Sequence, residues 1–165
     1  MSAAAAGLGP LAIVDAEPAD AGAILALQRL AYQSEARRYR NWSIPPLVET
    51  LAEVRAHIER DAVLKAVTGG RLVGSVRGVV TGRVCEVGRL IVHPDVQGRG
   101  IGSALLRAIE ARVAGVDAYE LFTGDRSVEN LRLYDRHGYR ETRRDPLPTG
   151  VALVYLRKPA AHRTP

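Results

Sequence analysis

Sulfur and large aromatic side chains are scarce in this chain. One cysteine, Cys85, stands among 165 residues, together with one methionine, one tryptophan and one phenylalanine. A single cysteine excludes an intrachain disulfide. His57, His93, His137 and His162 show no ligand spacing with one another or with Cys85, so no metal is expected. Long apolar runs are also missing, and none would span a bilayer. Met1–Gly7 lacks a basic region and is too weakly apolar for a signal peptide. Flexible tails over residues 1–10 and 159–165, a cytoplasmic location and no membrane partner are the resulting expectations. Lysine is nearly absent: the net charge of +5 is carried almost wholly by arginine. Such a surplus attracts anionic ligands or nucleic acid. Without a binding motif, or a basic block beyond Arg37-Arg38 and Arg143-Arg144, it reads as an arginine-biased solvated surface, with no nucleic acid as partner.

What is present suffices for one core. Apolar residues make up 47% and charged residues 25% of the chain, an ordinary globular balance. A single domain is expected over residues 11–158. Leu11–Val14 reads as a short strand, and Pro18 and Asp20 open a helix with Ile24, Leu27 and Ala31 inward. Tyr32 to Trp42 is polar and aromatic; Pro45-Pro46 then starts a second helix with Leu47, Leu51, Val54 and Ile58 on one face. Ala62–Thr68 and Leu72–Val80 flank Gly69-Gly70, a hairpin signal, and Val84–His93 completes a meander. Ala118–Thr123 is a further strand, and a short helix over about Val128 to His137 stops at Gly138. Tyr139–Thr142 and Val151–Leu156 close the chain around the turn-rich Asp145–Gly150.

Between the meander and the Ala118 strand lies "HPDVQGRGIGSALLRAIEARV". Ile101, Ala104, Leu105, Ala108, Ile109 and Val113 keep one face of a helix apolar. Ahead of it, Gln97-Gly98-Arg99-Gly100-Ile101-Gly102 joins strand to helix. Glycines let backbone N–H groups approach a ligand, and the helix start supplies unpaired donors and a partial positive charge. With Arg99 and Ser103 alongside, the stretch reads as a diphosphate cradle; the alternative is a glycine-rich turn before a core helix. The loop comes late, after an antiparallel meander, which does not suit a simple dinucleotide-binding unit.

The chain resembles the GNAT superfamily of acyl-CoA-dependent N-acetyltransferases. Gln97-x-x-Gly100-x-Gly102 matches that family's Arg/Gln-x-x-Gly-x-Gly/Ala loop, preceded by Val92-His93-Pro94. Asn130-x-x-x-Tyr134 followed by Gly138-Tyr139 matches its second cofactor segment. The resemblance covers roughly Leu11 to Lys158. It implies an α/β (α+β) fold with a central mixed, mostly antiparallel sheet of about seven strands and four helices, in the order β-α-α-β-β-β-α-β-α-β-β. It implies acetyl-CoA in a cleft between Glu86–Val92 and Ala118–Thr123, its pantetheine arm on the backbone of Leu90, Ile91 and Val92, and its diphosphate on Gln97, Gly98, Arg99, Gly100, Ile101 and Gly102, with Ser103 near.

The chemistry so implied is transfer of an acetyl group to a primary amine by direct attack in a ternary complex. Tyr134 corresponds to the family's general acid, and Asn130, one turn earlier, is expected at the pantetheine arm or the sheet backbone. The plain structural alternatives are a packed aromatic and a local helix-start bond. Glu86 is the candidate base; the alternative is an exposed strand residue paired with an arginine. Cys85 is read as a small core residue and not a nucleophile. Tyr32, Glu35, Tyr39 and Trp42 are the candidate acceptor pocket, suited to a cationic amine, or else a cover for the sheet. Two rival readings stand beside this one: a non-catalytic acyl-CoA-binding module, and transfer of another acyl group. A homodimer is common in such folds, and nothing in the sequence requires it.

Overall fold

The computed structural model describes residues 9–161. Its strands are β1 (Ala12–Asp15), β2 (Ala62–Thr68), β3 (Arg71–Thr81), β4 (Val84–Val92), β5 (Ala118–Gly124), β6 (Arg140–Pro146) and β7 (Ala152–Pro159). Its helices are α1 (Ala21–Ala31), α2 (Gln33–Tyr39), α3 (Pro45–Val48), α4 (Leu51–Arg60), α5 (Ile101–Arg112) and α6 (Val128–Arg136). The strands form one seven-stranded sheet in the order β1-β2-β3-β4-β5-β7-β6. Every neighbouring pair is antiparallel except β4 and β5. The expected fold class, with its mixed and mostly antiparallel sheet, is what the chain adopts.

The sheet separates two cores. On one face Leu105, Leu106 and Ile109 of α5 are fully buried against Val73, Val76 and Cys85. On the other, Ile24 and Leu25 of α1 pack with Val54 of α4 and Val63 of β2. Gly69 and Gly70 take φ of 55° and 73°, the left-handed pair that a two-residue hairpin needs. Gly74 answers a different need. A Cβ there would lie 2.8 Å from the Leu105 side chain and 2.9 Å from the Ile91 carbonyl oxygen, so only glycine lets α5 sit this close to β3.

The helices differ from the expectation in number. Each of the first two expected helices is joined by a second short one. The polar, aromatic stretch after Ala31 is helical over Gln33–Tyr39 and ends at Arg40, whose φ is 50°. The run begun by Pro45-Pro46 breaks after Val48, because Glu49 and Thr50 are extended and α4 starts afresh from a capping box. In that box the Thr50 hydroxyl accepts from the Glu53 N–H at 3.2 Å, and the Glu53 carboxylate accepts from the Thr50 N–H at 3.1 Å. The closing strands run farther than expected: β6 reaches Pro146, at the sheet edge where a missing N–H is tolerated, and β7 continues through Pro159. Of the expected tails, residues 1–8 and 162–165, including His162, lie outside the described residues. No described helix is long and apolar enough to cross a membrane.

Two glycines test this packing in opposite senses. Gly74→Ala should destabilise by about 1–3 kcal/mol through overpacking. Gly22→Ala, in α1 with open space around the added methyl, should stabilise by up to about 1 kcal/mol. Urea unfolding of the two variants measures both.

Candidate active site

The parallel pair at the centre of the sheet is short. β4 and β5 align only at Val84↔Ala118, Cys85↔Tyr119 and Glu86↔Glu120. β5 then keeps its partner β7 over its whole length, and β4 keeps β3. Past Glu86 the two halves of the sheet part. On β4 the departure coincides with a bulge: Ser75 faces Ile91 but Arg77 faces Gly88, so Arg89 and Leu90 together oppose Val76. Arg89 takes a left-handed φ of 50°, uncommon for a residue with a Cβ.

The bulge sets which backbone groups face the gap. The His93 N–H donates to the Val73 carbonyl of β3 at 2.8 Å. By strand alternation, the polar edges of Val92 and Leu90 then face away from β3, towards the space β5 has left, while Ile91 turns to β3 and buries its side chain in the core. Leu90 and Val92 are thus the two residues of the expected trio that offer backbone to the gap. The Gln97 side-chain amide donates to the Val92 carbonyl at 3.3 Å, so Gln97 braces the strand end as well as opening the loop.

Beyond Val92 the chain makes one 3-10 turn, Pro94–Val96, and enters the glycine loop. Gly98 and Gly100 have φ of 75° and 81°, with open space where a Cβ would be. Gly100 is the N-cap of α5 and caps it with no side chain. The first intrahelical bond joins the Ala104 N–H to the Gly100 carbonyl at 3.0 Å, which leaves the N–H groups of Ile101, Gly102 and Ser103 without a helical acceptor. Arg99 is exposed and has no ion-pair partner among the described residues. A Cβ on Gly102 would meet Leu133 and Val92 only at ordinary contact, 3.6 and 3.8 Å, so this glycine is not a steric necessity within the chain. The Ser103 hydroxyl lies 3.0 Å from Nε2 of His137, tying the start of α5 to the end of α6.

Tyr134 of α6 packs in the core that α5 shares with the sheet. It is buried and stands edge-to-face with Tyr139, ring centroids 6.0 Å apart. Its hydroxyl makes no hydrogen bond among the described residues. Burial raises its pKa far above the ordinary phenol value, and Tyr32 and Glu35 add to the rise. Tyr32, at the junction of α1 and α2, and Glu35 of α2 are near enough to act on it electrostatically. Tyr39 reaches α6 by another route. The Arg126 N–H donates to its hydroxyl at 3.0 Å, and that hydroxyl donates to the Ser127 Oγ at 2.8 Å. Ser127 in turn donates to the Glu35 carboxylate at 2.9 Å. Trp42 is 55% exposed, and no hydrogen bond or ring contact joins it to the other three. Asn130 donates to the Thr123 hydroxyl at 3.3 Å, latching α6 to β5. Glu86 is exposed with no arginine paired to it among the described residues; on β5 it is Glu120 that pairs with Arg157. Cys85 is fully buried, and burial pushes its thiol up to about 11, the behaviour of an inert core residue.

One cluster had no sequence signal. Glu49, in the break between α3 and α4, is only 7% exposed. Its carboxylate accepts from both terminal nitrogens of Arg77 (2.8 and 3.1 Å), from Arg89 (3.2 Å) and from Gln28 (3.2 Å). Burial alone would raise its pKa, but the arginines and Gln28 outweigh that and hold it at about 2. The two arginines reach a 470 Å³ cavity on this face of the parting strands, also lined by Glu86, Glu120, Phe122 and Tyr155. Isolated Arg, Glu and Gln residues at unrelated positions carry no motif, and only the folded sheet brings them together.

A strand-to-helix glycine loop beside a parted parallel pair is the architecture of a cofactor-dependent transferase. Residues 59–141 match the family model described as the acetyltransferase (GNAT) domain, about half of the chain. The chain belongs to this family. It is 28% identical over 130 residues to the UPF0157 protein YqkA of Bacillus subtilis (strain 168), covering 79% of the present chain and 37% of that protein's length. Among solved structures, the PaiA N-acetyltransferase of Thermoplasma acidophilum, in complex with coenzyme A, superposes with a TM-score of 0.75 at 15% identity, over 91% of this chain and 99% of that one. The ribosomal-protein-S18-alanine N-acetyltransferase of Escherichia coli gives a TM-score of 0.75 at 19% identity, over 94% and 97%. These two likenesses show the fold.

The buried carboxylate makes stability depend on acid. With its folded pKa held below the ordinary 4.5, Glu49 contributes stability that is complete above about pH 5 and is lost as pH falls towards 2. The wild type should lose about 3 kcal/mol from this group over that window. Glu49→Gln should lose a comparable amount at pH 7, by about 3–5 kcal/mol, and flatten the acid limb, measured by urea unfolding at stepped pH.

Proposed function

We propose that the chain transfers an acetyl group from acetyl-CoA to a primary amine by direct attack in a ternary complex. The observation that carries this is the parting of β4 and β5 beyond Glu86↔Glu120, with the glycine loop following from the end of β4. The residues present fit acetyl-CoA. Leu90 and Val92 offer amide edges that an amide-rich arm can pair with as an added strand would. The open left-handed glycines, with the free N–H groups of Ile101, Gly102 and Ser103, suit a diphosphate, and Arg99 adds charge. When bound, acetyl-CoA supplies an acyl group activated as a thioester.

The protein's own groups account for the remainder. A primary amine with a pKa of about 10.4 is mostly charged at neutral pH and must lose a proton before it attacks. Glu86, a carboxylate with no arginine partner at the mouth of the gap, is positioned to take that proton directly or through water. Tyr134 stays protonated, since burial raises its pKa, so it serves as a donor. A thiol has a pKa of about 8.5, so the leaving sulfur needs a hydrogen bond more than full protonation. The backbone N–H groups near Leu90 and Val92 are the candidate donors to the developing oxyanion. Glu35 with Ser127 and Tyr39 fastens α2 against α6, setting the wall on which Tyr32 and Tyr134 meet.

Release of coenzyme A thiol, followed across a panel of small amines and short peptides, tests the reading. Tyr134→Phe should lower turnover by about 10²-fold while acetyl-CoA still binds. Unchanged turnover removes Tyr134 from the chemistry. Binding without turnover on any amine, with any acyl-CoA, would make the chain a binding module. Gly100→Val, which forces a branched residue into φ of 81°, should abolish acetyl-CoA binding by calorimetry while circular dichroism shows the fold retained.

A further inference from the structure

The cavity lined by Arg77 and Arg89 carries a charge the proposed reaction does not need. Glu49 is one carboxylate shared by two arginines, so the Arg77–Glu49–Arg89 cluster keeps a net charge of +1. Both arginines line the cavity. Arg77 is 7% exposed and spends both terminal nitrogens on Glu49, whereas Arg89 gives Glu49 only Nη2 and keeps Nη1 without a partner among the described residues. A charged donor left unpaired beside a cavity of net positive charge points to a missing anionic partner. The backbone agrees. Arg89 holds φ of 50° at the bulge, a backbone conformation unfavourable for a residue with a Cβ, and such strain collects where a side chain must be aimed. The other positive group of the cavity, Arg143, is already satisfied by Asp145 at 2.6 Å and stacks over Tyr155. At the far side stand Glu86 and the apolar face of Phe122, which is 56% exposed.

We infer that Arg89, with Arg77, is a specificity determinant that binds a carboxylate on the acceptor, so that the acceptor amine is an amino acid or a closely similar amino-carboxylate. This rests on the acyl-transfer reading above. Glu86 attracts the ammonium end and the arginine pair the carboxylate end, with Phe122 and Tyr155 against the side chain. An arginine fork pairs with a planar carboxylate through two parallel hydrogen bonds, which an aliphatic polyamine cannot offer.

The test compares L-amino acids with their decarboxylated amines, phenylalanine with phenethylamine among them, by coenzyme A release and by calorimetric binding to the protein saturated with coenzyme A. The carboxylated member of each pair should be preferred by at least about tenfold in kcat/KM, chiefly through KM. Arg89→Asn should bring that ratio towards one, and Arg89→Lys should restore part of it. Asparagine tolerates the left-handed backbone, and Glu49 keeps Arg77, so the fold is retained in this variant. Equal turnover within the pairs, preference for the decarboxylated amine, or no binding of any amino acid to protein that binds acetyl-CoA would overturn the inference. So would a preference for succinyl-CoA over acetyl-CoA with plain amines, lost in Arg89→Asn, since the carboxylate would then belong to the donor. Arg89-dependent binding of amino acids without release of coenzyme A would instead overturn the acyl-transfer reading, and with it the acceptor role, leaving Arg89 as a carboxylate-binding residue only.

Discussion

β4 and β5 hold register for three residue pairs, and the site follows from where that register stops. Each strand is committed along its length to another partner, β4 to β3 and β5 to β7, so neither can bend back to close the gap. Buried main-chain polar groups need partners. A parting of two central strands therefore exposes a short run of unsatisfied backbone, and a ligand rich in amides can complete it. The bulge at Gly88–Leu90 serves the same geometry: it bends β4 away, turns Leu90 and Val92 to the gap, and aims Arg89 to the opposite face of the sheet from α5. The glycine loop and α5 follow directly from the end of β4, which places their free N–H groups at one end of the opening.

The second organising feature is electrostatic. Glu49 links α1, through Gln28, and the α3–α4 break to the two strands that carry Arg77 and Arg89. Gln28 also donates to the Pro46 carbonyl at 2.9 Å, so one buried carboxylate and one amide fasten the helical layer over the bulge. On the other face the arrangement is mainly apolar, with Tyr139 buried and bonded to Glu110, which also pairs with Lys158. The sheet thus has a packed, neutral side under α5 and a charged side under α1, and the cavity opens on the charged side. Tyr134 lies in a buried, desolvated position with its proton held, and Glu86 is exposed at the cavity. The chain spans about 37% of the length of YqkA, one of the curated relatives it matches.

Much of this was readable from pattern. The strand–glycine–helix order, the hairpin at Gly69-Gly70, α5 and the helix that carries Tyr134 all follow from local chemistry: which residues tolerate left-handed φ, which faces are apolar, where helices cap. The break between α3 and α4 was legible too, in Thr50-x-x-Glu53, but the apolar spacing of Leu47, Leu51 and Val54 runs across it and suggests one helix. Three of the four expected acceptor residues meet α6 or its N-terminal turn, Tyr32 and Glu35 around Tyr134 and Tyr39 around Ser127, whereas Trp42 stands apart in solvent. Ser127 gave no signal, because a serine before a helix reads as a cap, and this one instead holds Glu35.

The sequence by itself determined the strands, most of the helices, their order and the residues of the glycine loop, because each rests on interactions within about ten positions of chain: turns, caps and helical periodicity. Tertiary structure alone decided where β4 and β5 part, which of Leu90, Ile91 and Val92 face the gap, and that Glu49, Arg77 and Arg89 share one buried site. Those outcomes depend on pairing across as many as 40 positions of chain, on a one-residue bulge that reverses the facing of everything after it, and on burial, which turns ordinary surface charges into a cluster with an unmet partner.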